Sequence, residues 1–260
     1  MLKKTGLCLT LFVLTIFSGC GFLTAPPISN KTVSLQELAC DPLPIVVLVP
    51  DKTIGLWEPA LLPIGIIENE NYYSYEGFWD PAPVLADSFS KSLQENFNLN
   101  AVPLYRELEP KKYHQIVKTL EASVPLPDQV QFGYDYLVSR GEVIDKYMKE
   151  SLPENIRSLK QVLNSDFVIE VCVDRISVQK VCGMESALGV DIIARLIRLA
   201  DGEVIWLRTG AGASRLKGIK NFSDLEKNKL ELLRRHYELA TRNIYEKKGL
   251  YVFFRGFLPD

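Results

Sequence analysis

Histidine is scarce in this sequence of 260 residues, and the motifs that place histidine in a catalytic or metal site are missing. His114 and His236 are the only two histidines, and no H-E-x-x-H, C-x-x-C or G-x-S-x-G segment occurs. Zinc hydrolases, thiol oxidoreductases and α/β-hydrolases depend on those segments. We therefore predict no catalytic residue, no metal ligand and no cofactor, and we interpret both histidines as partly exposed helix residues.

An excess of positive charge is also missing. Lys and Arg number 30 against 32 Asp and Glu, which gives a net charge of −2 at pH 7. Lys3 and Lys4 are the only charged residues before Cys20, so the rest of the chain is more acidic than the whole. A nucleic-acid-binding protein needs a basic surface to face the phosphates. The charge balance therefore argues against nucleic acid as a partner.

Cysteine is too sparse for a disulfide framework. Of five cysteines, Cys8 and Cys20 lie near the N-terminus, and Cys40, Cys172 and Cys182 follow. Three cysteines form at most one internal disulfide, and their spacing does not fix which two would pair. Disulfide bonding is therefore left open.

A phosphate loop has only weak support. Gly210-Ala211-Gly212-Ala213-Ser214 is rich in small residues, but a phosphate loop needs its glycines to open a helix directly after a strand. The next predicted helix begins some nine residues later. We favour the end of a strand or a bulge for this segment.

The one long apolar run stands at the N-terminus. Lys3 and Lys4 precede Thr5–Phe17, which is almost unbroken in its apolar character, and two small residues follow. This order is that of a secretory signal peptide. The run is shorter than the roughly 20 residues that a membrane-spanning helix needs. We therefore expect the segment to be cleaved rather than retained.

Cys20 stands directly after the small residues of this signal. Phe17-Ser18-Gly19-Cys20 resembles the lipobox of bacterial lipoproteins. The resemblance implies lipid on the Cys20 thiol and cleavage before Cys20, so that residues 1–19 are the signal peptide. Gly21 stands where an Asp would retain such lipoproteins at the inner membrane, so the outer membrane is favoured in a Gram-negative source. An ordinary signal peptide with an accidental cysteine is the alternative.

Residues 20–40 are predicted to be the lipid anchor and a flexible tether, because the segment is polar and contains Pro26 and Pro27. An N-terminal arm that packs on the fold is the alternative. Residues 41–260 are predicted to form a single globular domain, with a helical insertion at about 110–163.

An aromatic segment follows the first predicted strand. Ile45–Val49 is a short β-branched run between prolines and predicts a buried strand. Residues 51–79 show no sustained helical period, so we expect a long loop, which is often functional in compact domains. Its aromatic side chains would either bind a partner protein or pack over the sheet, and we favour packing. The candidate partner-binding residues are Trp57, Tyr72, Tyr73, Tyr75, Phe78 and Trp79.

Helices and strands then alternate. Asp80-Pro81 is typical of a helix start, and Leu85, Phe89, Leu93 and Phe97 recur along one helix face. A strand around 101–105 contains Pro103, which indicates a sheet edge or an irregular strand. Helices are predicted at 110–122, at 134–152 and after Pro153, the last with Ile156, Leu159, Val162 and Leu163 on its apolar face.

The strongest strand signals lie in the C-terminal half. Residues 166–180 alternate between two faces, and Asp201-Gly202 separates two apolar runs, which is a strong hairpin signal. Ser223 and Glu226 form a capping box for a long helix that ends near Lys248. Its stripe is Leu230, Leu233, Tyr237, Ala240 and Ile244. We therefore predict an α/β fold in which helices cover one mixed sheet.

Three segments of these strands carry a family resemblance. Ser165-Asp166-Phe167-Val168-Ile169 precedes Ala194-Arg195-Leu196, and Ala200-Asp201-Gly202-Glu203-Val204-Ile205-Trp206 follows. They resemble envelope lipoproteins whose fold is akin to the N-terminal domain of TolB. That group includes curli-secretion (CsgG-like), penicillin-binding-protein activator and exopolysaccharide-secretion lipoproteins. The resemblance implies architecture and a multimer rather than a catalytic site.

The leading functional hypothesis is a lipid-anchored accessory or scaffold protein of an envelope assembly or secretion complex. It would contact the membrane through lipid on Cys20, bind other envelope proteins, and self-assemble. An alternative is a lipid or ligand carrier, which needs an apolar pocket of several hundred Å³ on the sheet face. A third is an envelope hydrolase, which needs converging carboxylates or a nucleophile and base within hydrogen-bond reach.

Overall fold

The computed structural model describes residues 34–39, 41–62, 65–121, 154–179, 186–216 and 231–245. Within them the chain forms seven strands and six helices, which confirms an α/β fold with a mixed sheet. The strands are β1 (Leu43–Leu48), β2 (Thr53–Leu62), β3 (Gly65–Ser74), β4 (Ala101–Pro103), β5 (Phe167–Gln179), β6 (Ser186–Arg198) and β7 (Glu203–Leu216). The helices are α1 (Leu35–Ala39), α2 (Ala82–Phe97), α3 (Leu104–Glu107), α4 (Pro110–Glu121), α5 (Glu154–Leu163) and α6 (Glu231–Tyr245).

The sheet is organised around β5. β6 pairs antiparallel with β5 from Phe167 to Gln179, and β7 pairs antiparallel with β6. On its other side, β5 pairs in parallel with β1 through Ile169–Cys172 and with β2 through Ser177–Gln179. β4 pairs in parallel with β1, and among the described residues β4 has no other strand neighbour. The predicted edge position of Pro103 is confirmed.

Strand alternation gives the sheet two buried faces. We call the face covered by α2 and α6 the first face. It holds Ile169 and Val171 of β5, Trp206 of β7, and the apolar stripes of both helices. The predicted stripe of α2 is buried at all four positions, and so are the α6 stripe residues within the described range: Leu233, Tyr237, Ala240 and Ile244.

The second face is covered by α4 and α5. Val168 and Cys172 of β5 pack there against apolar side chains of both helices. Between these two residues lies Glu170, whose carboxylate accepts two 2.7 Å hydrogen bonds from Arg195 on β6. Both side chains are 1% exposed. Burial raises the pKa of Glu170, and the charge of Arg195 opposes that rise.

The small residues of β7 are explained by close packing. Gly212 pairs with Val190 inside the regular β6–β7 ladder, and a Cβ at Gly212 would lie 2.0 Å from the backbone oxygen of Ala240 on α6. The segment is therefore the interior of a strand over which a helix backbone passes closely. It is neither a phosphate loop, a strand end nor a bulge. The bulge in this ladder lies elsewhere, between Leu196 and Ile197.

The Asp201-Gly202 hairpin is present, with a loop of four residues between Arg198 and Glu203. Gly202 has a φ of 75°, a conformation that glycine adopts without strain. Asp201 does not adopt a positive φ. Its carboxylate instead accepts hydrogen bonds from Arg198 and from the backbone N–H of Glu203, which lowers the pKa of Asp201.

The predicted long loop at 51–79 is wrong. β2 and β3 form an antiparallel hairpin in that segment, with ten residue pairs from Thr53–Ser74 to Leu62–Gly65. The prediction failed because Pro59 and Pro63 interrupt the strand pattern. Two smaller corrections apply. The strand around 101–105 ends at Pro103, where α3 begins, and Val162 is 52% exposed rather than on the apolar face.

Several predictions concern residues outside the ranges that the structure describes. The signal peptide, Cys20, most of the tether, the helix at 134–152 and the capping box of the last helix lie outside the described residues. Cys172 is a buried free thiol whose pKa burial raises, while Cys40 and Cys182 also lie outside that range. No helix among the described residues has both the length and the apolar character that crossing a membrane requires.

Candidate functional site

A cleft of about 880 Å³ opens where β1 ends, between the two faces of the sheet. Its floor includes Val47 and Val49. One wall is the connection from β3 to α2, and the other is α4 with Tyr113 and His114. Ligand sites of open α/β sheets lie outside the carboxyl ends of strands, so this cleft is the candidate functional site.

The wall at the end of β3 is a tight turn fixed by backbone contacts. The N–H of Phe78 donates to the carbonyl of Tyr75 at 3.0 Å, and Gly77 has a φ of 79°. A positive φ at the third position is the geometry of a type II turn. The N–H of Tyr75 donates to the carbonyl of Lys52 at 2.9 Å. The turn is therefore attached to the β1–β2 connection.

Aromatic packing also fixes this turn, on its buried side. Trp79 lies edge-on to Tyr237 of α6, with ring centroids 5.0 Å apart, and its ring lies 5.2 Å from that of Tyr75. Tyr75 is 2% exposed, and its hydroxyl donates to the carbonyl of Asp51 at 3.2 Å. Burial is the main reason that the pKa of Tyr75 is raised. These contacts leave the turn little freedom to rearrange.

Phe78 is the residue of this turn whose side chain is exposed to solvent. Its side chain is 75% exposed, while its carbonyl accepts a 3.1 Å hydrogen bond from Arg234 of α6. An exposed Phe is ordinary on a mobile loop. Here the backbone on both sides of Phe78 is fixed, so the ring stands at the edge of the cleft in a defined place.

The six predicted partner-binding aromatics do not form one surface. Tyr75 is buried, and Tyr73 and Trp79 are half-buried against the core of the first face. Tyr72 is 57% exposed on β3 and Phe78 is exposed at the cleft. Trp57 pairs in register with Glu70, and its side chain lies outside the described part of the structure.

Charged groups line the cleft as well as aromatic ones. Lys52 and Glu76 form an ion pair at 3.3 Å across the mouth, and both are largely exposed. Exposed pairs of this kind contribute at most about 1 kcal/mol. The lining also includes Asp80, His114, Glu121 and Arg234. A cleft with charges of both signs suits a peptide surface better than an acyl chain.

Tyr113 closes the floor. Its hydroxyl donates to the carbonyl of Val47 at 3.4 Å, on the part of β1 that extends beyond its last pair with β4, Ile45–Pro103. Burial raises the pKa of Tyr113 to about 12. The hydroxyl is therefore a neutral hydrogen-bonding group at physiological pH and not an acid or base.

A serine and a histidine lie within hydrogen-bond distance elsewhere. Ser214 Oγ is 2.8 Å from His236 Nδ1. The pair joins β7 to α6 outside the cleft, and burial followed by the charge of Arg235 lowers the pKa of His236. Among the described residues no carboxylate contacts this ring to orient it, as a catalytic triad requires. We interpret the pair as a contact between helix and strand.

Sequence reasoning missed Lys52, His114 and Arg234 as neighbours, because they come from three separate elements. The turn itself had a local signal in Tyr75-Glu76-Gly77-Phe78, where glycine stands at the third turn position. Within the ranges that the structure describes, no three His, Cys, Asp or Glu residues come together to hold a metal.

No family model matches the chain, and no curated protein matches it. Solved structures that match the chain include lipoprotein GNA1162 from Neisseria meningitidis, at 12% identity and a TM-score of 0.32, covering 75% of this chain and 97% of that one. Protein XCC0632 from Xanthomonas campestris (DUF330) is 12% identical, with a TM-score of 0.40 and 89% of each chain covered. A PelC dodecamer from Paraburkholderia phytofirmans is 11% identical, with a TM-score of 0.35, covering 83% of this chain and 97% of that one.

Proposed function

We propose that this protein is a lipid-anchored accessory component of a bacterial envelope assembly or secretion complex, which it joins by protein–protein contact. The proposed contact site is the cleft at the end of β1, with Phe78 at its edge as the main anchor. The anchor to the membrane is lipid on Cys20. The proposed location is the periplasmic face of the outer membrane in a Gram-negative source, or the exported side of the cell membrane otherwise.

The observation that carries this proposal is the fixed, exposed ring of Phe78. Burying a Phe side chain contributes about 1.5–3 kcal/mol relative to leaving it in water. Aromatic side chains that enter a partner's pocket are typical binding hot spots. Because Tyr75 and Trp79 already hold the turn, a partner would bind Phe78 without first having to order the backbone.

The charged lining supports a protein partner over an apolar ligand. An acyl chain needs an enclosed apolar pocket, whereas here Lys52, Glu76 and Arg234 line the same cleft as the aromatic residues. The carrier hypothesis is therefore the second candidate, favoured only by the volume of the cleft. The hydrolase hypothesis has its serine and histidine outside the cleft.

Cross-linking in intact cells tests the contact site. A photo-reactive amino acid at position 78 should capture one defined envelope protein. The same group at position 162 should not, since Val162 is equally an exposed apolar residue but lies on α5, which covers the second face. Capture of a second copy of this chain would make the partner the protein itself. Equal capture patterns at both positions would overturn the proposed site.

Mass spectrometry of the mature protein tests the anchor separately. The expected N-terminal residue is Cys20 carrying acyl chains, and a Cys20→Ser variant should lose them and leave the membrane fraction. An unmodified N-terminus, or a chain that still begins at Met1, would contradict the anchor without affecting the cleft.

A ligand-binding measurement separates the second candidate from the first. Native mass spectrometry of the protein purified from the envelope should show the mass of the lipidated chain alone. A stoichiometric small molecule that is lost when Tyr113 is replaced by Trp, which narrows the cleft floor, would favour the carrier hypothesis instead.

A further inference from the structure

The charged side chains that line the cleft do not balance. The lining holds two basic residues, Lys52 and Arg234, and three acidic residues, Glu76, Asp80 and Glu121. With histidine counted as neutral at pH 7, the cleft carries one negative charge in excess. The contacts of each charged group show where that excess lies.

Both positive charges of the lining are engaged within the protein. The ammonium group of Lys52 lies 3.3 Å from the carboxylate of Glu76, across the mouth of the cleft. The guanidinium of Arg234 donates to the carbonyl of Phe78 at 3.1 Å, on the backbone of the turn. A binding partner would therefore meet these two groups with their contacts already made.

Asp80 and Glu121 have no such counter-charge. Asp80 Oδ1 accepts a 3.0 Å hydrogen bond from the backbone N–H of Ala82. The other oxygen of Asp80 and both oxygens of Glu121 have no hydrogen bond or ion pair among the described residues. Asp80 lies on the wall that carries Phe78, and Glu121 ends α4 on the opposite wall. The excess negative charge is therefore carried by carboxylates on both walls.

Both carboxylates also act on the floor between the two walls. Burial is the main reason that the pKa of Tyr113 is raised, and the charges of Asp80 and Glu121 add to that rise. A charge shifts the pKa of another group mainly over short distances, so both carboxylates lie near the same hydroxyl. That hydroxyl is neutral and donates to Val47, so it balances neither charge.

An exposed aromatic ring lies beside these carboxylates. Phe78 is 75% exposed and precedes Asp80 by two residues. The face of an aromatic ring attracts a cation, and a guanidinium can stack on a ring while it donates hydrogen bonds to a carboxylate. The ammonium group of lysine is more strongly hydrated and does not stack in this way. A ring next to unpaired carboxylates therefore suits arginine better than lysine.

We propose that the protein partner of the cleft inserts an arginine side chain between Asp80 and Glu121, with its guanidinium against the ring of Phe78. This inference rests on the proposed function, because it names the chemistry of the partner at the same site. The arginine supplies the positive charge that the cleft lacks, and Phe78 supplies the apolar contact. Arginine is among the residues enriched at the energetic centres of protein interfaces.

Fluorine NMR of the intact lipidated protein in detergent tests this chemistry, with para-fluorophenylalanine incorporated only at position 78. The probe is the peptide acetyl-Gly-Arg-Gly-amide. Its matched control contains citrulline, which has the shape of arginine without the charge. We expect a saturable shift of the signal with the arginine peptide and a dissociation constant at least about fivefold higher with the citrulline peptide. Equal affinity for the two peptides, or no shift with either, would overturn the proposal.

A lysine peptide tests the choice of arginine in the same titration. We expect acetyl-Gly-Lys-Gly-amide to bind more weakly than the arginine peptide, because its ammonium group keeps more of its hydration. A lysine peptide that binds as tightly as the arginine peptide would contradict stacking of a guanidinium on Phe78.

Removing the carboxylate charges should weaken binding of the arginine peptide. Asp80→Asn keeps an oxygen for the N–H of Ala82, since asparagine starts a helix as well as aspartate does, and Glu121→Gln keeps the length of the side chain. Each variant should raise the dissociation constant about three- to tenfold. Glu107→Gln removes the same charge from an exposed residue outside the cleft lining and should change nothing. A loss as large in this control would show that net charge, not the cleft, attracts the peptide.

Cross-linking in intact cells separates the failure of this inference from the failure of the proposed function. Benzoylphenylalanine at position 78 is compared in the otherwise unchanged chain and in the Asp80→Asn/Glu121→Gln chain. We expect the double variant to lose most of the captured envelope protein while its amount in the membrane fraction stays the same. Unchanged capture would refute the arginine contact and leave the proposed function standing. The absence of a defined captured protein in both chains would contradict the proposed function itself.

Discussion

The two faces of the sheet are stabilised in different ways. On the first face, the backbone of α6 approaches β7 so closely that a Cβ at Gly212 would lie 2.0 Å from Ala240 O. On the second face, the apolar packing of α4 and α5 encloses a buried charge pair, Glu170–Arg195. The first face requires a residue without a side chain at position 212, whereas the second face requires both members of a buried charge pair. The same kind of substitution therefore has different consequences on the two faces.

Breaking the charge pair should have the largest effect. Glu170→Ala leaves the Arg195 guanidinium buried without its carboxylate, which we expect to cost about 3–5 kcal/mol in the free energy of unfolding. Urea denaturation measures it. The double variant Glu170→Leu/Arg195→Met, which removes both charges and keeps apolar volume, should recover most of that loss. Equal loss in the single and double variants would contradict this account of the second face.

Adding a side chain at Gly212, where α6 passes close to β7, should have the second-largest effect. Gly212→Ala places a methyl group against the backbone of α6, so the helix must move, and we expect a loss near the upper end of the roughly 1–3 kcal/mol typical of overpacking. Gly189→Ala on β6 is the matched control, because the nearest atom to its Cβ is the side-chain oxygen of Ser177 at 3.2 Å, and the nearest backbone atom is Ser177 O at 3.8 Å. The control should lose less than about 1 kcal/mol. A similar loss at both positions would contradict the view that the close approach of α6 is what requires glycine at position 212.

A substitution of Tyr113 tests how much its buried hydroxyl, at the cleft floor, stabilises the second face. Tyr113→Phe removes the hydrogen bond to Val47 O and should cost about 1 kcal/mol at neutral pH. The folded-state pKa of about 12 lies above the ordinary tyrosine value of 10.0, so ionisation is disfavoured in the folded protein. The stability associated with this group is complete below pH 10 and is lost as pH rises towards 12.

The difference between wild type and Tyr113→Phe should therefore shrink between pH 9 and pH 11 in urea denaturation. The phenylalanine variant has no hydroxyl to ionise and serves as its own control for the remaining alkaline loss. A difference that stays constant over this range would contradict the proposed burial of the hydroxyl.

His236 should give the smallest effect, on the first face. Its folded-state pKa lies below the usual 6.5, chiefly because the ring is partly buried. The unfolded chain therefore binds the proton more readily, and stability is complete above pH 6.5 and falls as pH decreases below it. Thermal denaturation at pH 7 and pH 5 should show a smaller acid-side drop for His236→Gln than for wild type. An acid-side drop of the same size in both proteins would contradict this role of His236.

Much of the fold was predictable because its signals are local. The alternation of Phe167–Val173 assigns each residue to a face of the sheet without knowledge of the partner strands, and Leu85–Phe97 repeats with the period of a helix. The β2–β3 hairpin was not predictable in this way. Pro59 removes a backbone donor from the pattern, and the pairing of Thr53 with Ser74 depends on contacts across the whole hairpin.

The candidate site likewise combines residues that local patterns identify with contacts that only the fold creates. The sequence identified Phe78 as one of six aromatic residues but could not separate it from Tyr75, since both occur in the same short segment. Only packing distinguishes them, because Tyr75 turns into the core while Phe78 faces water. The neighbours Lys52, Tyr113 and Arg234 are far apart in the chain and meet only through the fold.

By itself, the sequence determined the order of most elements, which residues of β5 and α2 are buried, and the absence of familiar catalytic motifs. These depend on the chemistry of neighbouring residues and on the fixed periods of strand and helix. Tertiary structure alone decided the cleft, the Glu170–Arg195 pair and the approach of α6 to Gly212. Each of these features requires contact between residues at least 25 positions apart in the chain. Local sequence patterns do not show which distant residues will be in contact.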